Sequence, residues 1–350
     1  MDAVPSTPPS FAQTRLSVLP LAPSRSAVIR LRPVVDALLS SASSGTIVDT
    51  ASFGALVDCR GASELTSAVE EAVARVRPTV ALLAGDGDDV VTCALAAARL
   101  GVPIARVGAG LRCRDRGALD EVNRIVLDGL AARLYADTEE SLQNLLDGGA
   151  APDSILCVGS TLADAVERLR EPALERAAWR DLGFSPGEYL LVAVQHPDNV
   201  GLDERLLRFV AALVERAKGA PLVLCVAADT RLRLQRLGQL ARLTDAGVRV
   251  IEPVPHVDFL SLEAGAGAVI TDSAGVQEET SVLGVQCFTL RYSTECVATL
   301  IHGTNTLLGE DPAEMADVET EPSPRRPARV PHWDGAAGTR IADDLLRGHG

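Results

Sequence analysis

The sequence contains little lysine and few aromatic residues. Lys218 is the single lysine, and aromatic residues make up 3% of the 350 residues. The 33 basic residues are outnumbered by 47 acidic ones, which gives a formal net charge of -14. Because this charge repels polyanions, nucleic acid and anionic membranes are not expected partners, although a local group of arginines can still bind a phosphate.

Long apolar runs and paired cysteines are also missing. No segment approaches the roughly 20 apolar residues of a membrane-spanning helix. The seven cysteines never form a Cys-x-x-Cys pair, so we expect buried thiols and no metal site. Residues 1–15 have neither a basic start nor an apolar run, and they are predicted to be a disordered leader without a signal peptide. We therefore expect a cytoplasmic protein.

The sequence is instead rich in short apolar runs that alternate with helical patterns. Six such runs lie between residues 16 and 160, and five more lie between 189 and 291. This alternation predicts an α/β protein with two Rossmann-like, doubly wound parallel sheets. The predicted domains are 16–180, 185–330 and a C-terminal helix within 331–350 that crosses back to the N-terminal domain.

In open parallel sheets, ligands bind beyond the carboxyl ends of the strands. One such end is GAVITDSAGVQEE, where Ser273, Ala274 and Gly275 are small residues at the start of a new helix. Unpaired amides at a helix N-terminus suit a phosphate, and Glu279, one turn later, suits two neighbouring hydroxyls. A nucleotide offers both groups. The alternative is a Ser-capped helix with solvated glutamates.

Three further strand ends carry candidate groups. Asp86 follows the run LLAG, and the simpler interpretation is a turn carboxylate. Glu121 and Arg124 have the spacing of an ordinary i, i+3 helix pair. His196 ends the run LLVAVQH and suits phosphate binding or proton transfer, although isolated histidines are usually structural.

The segment DSAGVQEETSVLGVQCFTLRYSTE resembles the nucleotide-binding segment of the non-hydrolysing UDP-N-acetylglucosamine 2-epimerases. A second segment, from residue 110 to 166, is similar to the same family, and the resemblance extends from about 16 to 347. It implies the GT-B fold, in which two Rossmann-like domains face a cleft and UDP binds to the carboxy-terminal domain.

The resemblance also implies roles for individual residues. Asp86 and Glu121 match catalytic carboxylates of the family, and His196 matches a family histidine. Arg25 takes the place of an arginine that contacts the phosphates. Phe259 matches an aromatic residue beside the uracil, with ordinary core packing as the alternative.

One expected carboxylate is missing. The family has Glu-Ala-Gly-Leu-Arg after a strand, whereas this chain has Gly108 in the first position and retains Arg112, an expected substrate-binding residue, in the last. Three accounts are open. Asp86 and Glu121 suffice with help from another carboxylate, such as Asp88 or Asp115; the reaction stops at elimination or ends in hydrolysis; or the protein only binds a nucleotide sugar.

Two smaller departures lie in the nucleotide-binding segment. Ala274 stands where the family usually has glycine, which is a small change. Cys296 stands in place of an arginine near the sugar pocket, and a family carboxylate two residues later is absent as well.

The sequence thus predicts a homodimeric UDP-sugar 2-epimerase. It would interconvert UDP-N-acetylglucosamine, or a close analogue, and the manno epimer by elimination and re-addition of UDP, with no metal or other cofactor. The alternatives are a hydrolysing epimerase that releases UDP and N-acetylmannosamine, and a catalytically impaired UDP-sugar-binding protein. A retaining glycosyltransferase of the same fold is less favoured.

Overall fold

The computed structural model describes residues 16–41, 46–319 and 327–348. The predicted leader, residues 1–15, lies outside the described residues. The described chain forms two compact units, with residues 16–111, 116–164 and 334–348 in the first and residues 112–115 and 165–333 in the second. The sequence analysis placed the domain boundary near residue 180, whereas the division falls within the helix Thr161–Arg176.

The first unit contains six strands, five complete helices, the start of a sixth helix and the last helix of the chain. The strands are β1 (Ser17–Leu21), β2 (Ile47–Val48), β3 (Val80–Ala84), β4 (Ile104–Ala109), β5 (Arg133–Ala136) and β6 (Ile155–Cys157). The helices are α1 (Arg25–Ser41), α2 (Ala62–Val76), α3 (Asp88–Arg99), α4 (Leu119–Leu130), α5 (Glu139–Asp147) and the start of α6 (Thr161–Arg176). Short 3-10 helices cover Ala55–Asp58 and Pro152–Ser154.

The second unit repeats this alternation. Its strands are β7 (Leu190–Ala193), β8 (Leu222–Cys225), β9 (Arg249–Ile251), β10 (Ala268–Thr271), β11 (Cys287–Thr289) and β12 (Asn305–Leu307). Its helices are α7 (Pro197–Val200), α8 (Asp203–Arg216), α9 (Ala228–Arg236), α10 (Gln239–Asp245), α11 (His256–Gly265), α12 (Ala274–Leu283) and α13 (Val297–Ile301). Short 3-10 helices cover Ala178–Leu182 and Pro312–Asp317. The last helix, α14 (Ala337–Arg347), belongs to the first unit.

Each unit is built on one parallel sheet of six strands. The strand order is β2-β1-β3-β4-β5-β6 in the first unit and β12-β11-β10-β7-β8-β9 in the second. The predicted fold class of two Rossmann-like parallel sheets with flanking helices is therefore confirmed. The strand β12 was missed, because its sequence, Asn-Thr-Leu, contains two polar residues and gives no apolar run.

The sheet of the first unit is covered on both faces, which explains its continuous apolar strands. Every residue of β1 and β3 is buried. Val18 and Leu82 belong to one core cluster with residues of α1 and α14, whereas Leu19 and Leu83 belong to another with residues of α2 and α3. Because successive side chains of a strand point to opposite faces, each strand needs an apolar residue at every position.

The closing helix α14 packs closely against α1. A side chain at Gly338 would bring its Cβ within 2.6 Å of the backbone of Pro33, so only glycine allows this approach. None of the described helices is long and apolar enough to cross a membrane. None of the seven cysteines, all of which lie in the described residues, forms a disulfide; five are buried and two, Cys59 and Cys157, are half-buried.

Candidate active site

Asp86 and Glu121 are brought together by one buried arginine in the first unit. Arg124 has an exposed fraction of 0%. Its Nη1 donates to Asp86 Oδ2 at 2.5 Å, and its Nε and Nη2 donate to Glu121 Oε2 at 3.2 and 3.1 Å. The predicted i, i+3 pair of Glu121 and Arg124 therefore exists, but Arg124 also binds the carboxylate of Asp86, 38 residues earlier in the chain.

The two carboxylates differ in exposure. The side chain of Asp86 is 38% exposed, whereas that of Glu121 is 3% exposed. A buried carboxylate needs a compensating charge and hydrogen bonds. Arg124 supplies both, and it fixes the orientation of the two groups through its planar fork of donors.

Asn123 extends this group of polar side chains. Its Nδ2 donates to the carbonyl oxygen of Asp86 at 2.9 Å and to Asp88 Oδ1 at 2.8 Å. Asp88, one of the two carboxylates suggested as a substitute for the missing glutamate, thus lies beside Asp86. The sequence analysis did not identify Asn123, although its place next to Glu121 on α4 was a usable signal.

Gly108 lies where the strand pairing is irregular. The register between β4 and β5 shifts between Val107 and Ala109, and Gly108 has a φ of 73°. A Cβ added there would lie 3.7 Å from Oδ2 of Asp137, the residue that follows β5. The position that lacks the family carboxylate therefore has positive φ, which disfavours other residues, and it faces a carboxylate from the neighbouring strand.

Arg25 and Arg112 occupy different settings. Arg25 is exposed and begins α1, four residues after the end of β1. Arg112 is half-buried, three residues after the end of β4, in a short segment that belongs to the second unit.

In the second unit, the buried carboxylate of Asp272 holds the turn that carries His196. Asp272 accepts hydrogen bonds from the backbone N–H of Gln195 at 2.9 Å, from that of His196 at 2.8 Å and from Asn199 Nδ2 at 3.0 Å. His196 in turn caps the short helix α7, because its Nδ1 accepts from the N–H of Asp198 at 3.3 Å. The sequence analysis assigned no role to Asp272.

The junction after β10 does not have the features of the structural alternative. Ser273 is the N-cap residue of α12, but its side chain makes no capping hydrogen bond. Its own N–H donates to Thr271 Oγ1 at 3.1 Å. Ser273, Ala274 and Gly275 are half-buried. A helix N-terminus lined by small residues fits the predicted anion site.

Glu279 is buried and paired, not solvated. Its exposed fraction is 6%, and its Oε1 lies 2.7 Å from His256 Nε2. His256 begins α11, and Phe259 follows it by one turn and is half-buried. Sequence analysis missed His256, although residues at i and i+3 share one side of a helix.

Cys296 lies next to the same junction. Its Sγ is 3.8 Å from the carbonyl oxygen of Ala274 and 4.0 Å from Glu278 Oε1. The buried thiol thus fills part of the space beside the start of α12, where an arginine was expected, and it brings no positive charge there.

Comparisons with known proteins find relatives along most of the chain. A sequence profile described as UDP-N-acetylglucosamine 2-epimerase matches residues 59–346. The chain is 32% identical over 287 residues to the UDP-N-acetylglucosamine 2-epimerase of Methanocaldococcus jannaschii, covering 80% of this chain and 78% of that protein. It is also 32% identical over 245 residues to the UDP-2,3-diacetamido-2,3-dideoxy-D-glucuronate 2-epimerase of Pseudomonas aeruginosa, covering 69% of this chain and 66% of that one.

Solved structures show the same likeness. The structure of Methanocaldococcus jannaschii UDP-GlcNAc 2-epimerase in complex with UDP-GlcNAc and UDP matches with a TM-score of 0.81 at 26% identity, covering 95% of this chain and 100% of that chain. A Rickettsia bellii UDP-N-acetylglucosamine 2-epimerase matches with a TM-score of 0.81 at 19% identity, covering 96% and 97%, which supports the fold alone.

Proposed function

Because the chain belongs to the UDP-N-acetylglucosamine 2-epimerase family, we propose that it interconverts UDP-N-acetylglucosamine, or a close analogue, and the manno epimer. The observation that supports this proposal is that Arg124 forms ion pairs with both Asp86 and Glu121. The reaction removes the proton at carbon 2 and expels UDP, and UDP then adds back after reprotonation on the opposite face. Such chemistry needs carboxylates in fixed positions.

The first unit would supply the proton-transferring groups. Asp86 and Glu121 would exchange the proton at carbon 2, and Arg124 would keep their oxygens in place. Arg25, exposed at the start of α1, would contact the diphosphate with its bidentate fork. Arg112 would bind the substrate.

The second unit would supply the nucleotide site. The amides of Ser273, Ala274 and Gly275 would bind the phosphates, and Glu279 would accept hydrogen bonds from the two ribose hydroxyls. Phe259, half-buried on α11, would lie beside the uracil.

His196 would help the leaving group depart. A histidine held at a strand end can donate a hydrogen bond to a developing diphosphate charge, and such stabilisation acts mainly in the transition state. Asp272 would hold the backbone of this histidine in place. Together with Arg25, His196 would favour the departure of UDP.

Gly108 favours a second candidate, in which the reaction ends in hydrolysis. A residue without a titratable group cannot return a proton to carbon 2, so the reaction would stop after elimination, with UDP and the unsaturated sugar (the glycal) as products. Addition of water at carbon 1, with a proton delivered to carbon 2 by another acid, would then give N-acetylmannosamine. The same observation supports, less strongly, a protein that binds a UDP-sugar without turnover.

Proton NMR of UDP-N-acetylglucosamine in D₂O distinguishes these functions. The native chain is expected to exchange the proton at carbon 2 for deuterium and to form the manno isomer. Glu121→Gln should slow this exchange by about 10² to 10⁴, the usual contribution of a general acid or base. Glu70→Gln, an exposed change on α2, is the matched control and should leave the rate unchanged.

Each outcome identifies one function. Exchange with a manno product, lost in Glu121→Gln, supports the epimerase. Net release of free UDP supports the hydrolysing form. Absence of both, with UDP binding intact, rejects epimerisation of this substrate; the uronate substrate named for the Pseudomonas relative is then the next to test.

We also propose that the protein is a homodimer that associates through α4. Leu119, Val122, Ile125 and Val126 are 59%, 41%, 40% and 40% exposed on this helix. Apolar patches of this kind mark interaction surfaces. Light scattering should give twice the mass of one chain for the native protein. The double variant Leu119→Glu, Val126→Glu should give the mass of a single chain.

The cytoplasmic location stays a prediction, which fractionation of expressing cells would test.

A further inference from the structure

Glu263 is a buried carboxyl group that has no role in the chemistry described above. It lies on α11 with an exposed fraction of 0%. Neither of its carboxyl oxygens accepts a hydrogen bond from a described residue. A carboxylate in such a place would lose its hydration without replacement, so the neutral acid is strongly favoured.

The neighbour of Glu263 is the proposed ribose-binding residue. Burial raises the pKa of Glu263 well above its ordinary value, and the negative charge of Glu279 and a hydrogen bond with Glu279 raise this pKa further. Two carboxyl groups that share a site do not both ionise easily, and one of them keeps its proton.

The other titratable groups around Glu263 do not supply a positive charge. Tyr189, the residue before β7, interacts electrostatically with Glu263, and burial raises the pKa of this phenol. Cys287 on β11 also interacts electrostatically with Glu263, and burial raises the pKa of its thiol to about 12. His256, on the same helix as Glu263, pairs with Glu279.

We propose that Glu263 is a positioning residue for nucleotide binding: it stays protonated and donates a hydrogen bond through its O–H to the carboxylate of Glu279, so that this carboxylate is held by His256 on one side and by Glu263 on the other. The inference rests on the proposed function, because it gives Glu279 the ribose. A carboxylate held from both sides is fixed in the orientation that accepts two neighbouring hydroxyls, and it loses little freedom on binding.

The proton matters more than the shape of the side chain. When Glu263 ionises, its hydrogen bond to Glu279 is replaced by repulsion between two negative charges. UDP should then bind more weakly as the pH rises. The maximal rate should change little, because Glu279 would contact the ribose and not carbon 2. Ionisation of Glu263 should therefore raise KM and Kd and leave kcat unchanged.

The test compares UDP binding by calorimetry across pH for four full-length proteins. Glu263→Gln keeps a donor that cannot ionise, so it should bind UDP as the native chain does near neutral pH and lose the weakening at high pH. Glu263→Leu has no donor, and its Kd should rise about 3- to 10-fold near neutral pH. Glu204→Gln, an exposed change on α8, should behave as the native chain.

The results separate this inference from the proposed function. If the native chain binds UDP and neither Glu263 variant alters Kd or its pH dependence, the inference is wrong and the proposed function stands. If the native chain binds no UDP, both are wrong. If Glu263→Leu does not fold, as seen by circular dichroism, the comparison of native and Glu263→Gln decides: identical pH profiles overturn the inference. An effect on kcat with unchanged KM would also contradict it.

Discussion

Two pairs of neighbouring carboxyl groups, one in each unit and each with at least one buried member, are compensated in different ways. In the first unit, Asp86 and Glu121 share the guanidinium of Arg124. In the second, Glu263 has Glu279 as its neighbour, and among the described residues no cation interacts with Glu263; in our proposal its retained proton takes that place. Burial of paired acids therefore has two solutions here, a fixed positive charge or a retained proton.

The two solutions respond differently to pH. Arg124 keeps its charge at any pH at which the protein is folded, so both of its partners can stay ionised together. The proton on Glu263 is lost when the pH becomes high enough, and the second pair then carries two negative charges that repel each other. A cation suits groups that must accept protons, whereas a neutral acid suits a group that must only donate one hydrogen bond.

Removal of the shared cation should have the largest effect. Arg124→Met removes the guanidinium from the buried Glu121, and breaking a buried pair costs about 3 to 5 kcal/mol. The lower end is expected, because Asp86 is 38% exposed and water compensates part of its charge. Urea unfolding measures the loss, and exchange at carbon 2 should fall at least about 10²-fold. Normal exchange in a folded Arg124→Met protein would contradict the proposed role of the cluster.

Removal of the ionisable group from the second pair should flatten the pH dependence of stability. Below the ordinary pKa of 4.5, both folded and unfolded chains hold the proton of Glu263. Above it, the unfolded chain releases this proton while the folded chain keeps it, so the free energy of unfolding falls as the pH rises towards the folded-state pKa. The slope is at most about 1.4 kcal/mol per pH unit.

Glu263→Gln should lack this part of the slope. Urea unfolding of the native chain and of Glu263→Gln at several pH values from 4 upward gives the difference directly, and contributions from other groups cancel. Parallel curves for the two proteins would mean that Glu263 ionises normally in the folded chain.

The comparison of the two pairs also shows what the sequence can and cannot predict. Eleven of the twelve strands in the described residues were recognisable, because buried parallel strands are mostly apolar. Asp86 and Glu121 were identified through strand ends and family resemblance. Glu263 was not, because an acid among the apolar residues of α11, a helix that also carries Asp258, gives no local signal of its buried neighbour. His256 was missed as well. Only packing of α11 against α12 brings Glu263 to Glu279.

A new uncompensated carboxylate in the first unit should have a smaller effect. Gly108→Glu would restore the family residue, but its φ of 73° disfavours any side chain, and Asp137 Oδ2 would lie 3.7 Å from its Cβ. We expect a loss of about 1 to 2 kcal/mol from the backbone alone, and no faster exchange at carbon 2. Gly108→Ala separates backbone strain from charge. A faster reaction in Gly108→Glu at unchanged stability would show that the site still accepts the family carboxylate.

An exposed ion pair should show the smallest effect and set the scale for the other three. Arg32 Nε lies 2.7 Å from Asp36 Oδ1 on α1, a contact as short as that between buried groups, but the two side chains are 65% and 36% exposed. Water already compensates both charges, so Asp36→Asn should change the free energy of unfolding by no more than about 0.5 kcal/mol. A loss in urea unfolding as large as that of Arg124→Met would mean that distance, and not burial, decides what a carboxylate needs. The contrast between guanidinium and proton in the two buried pairs would then lose its physical basis.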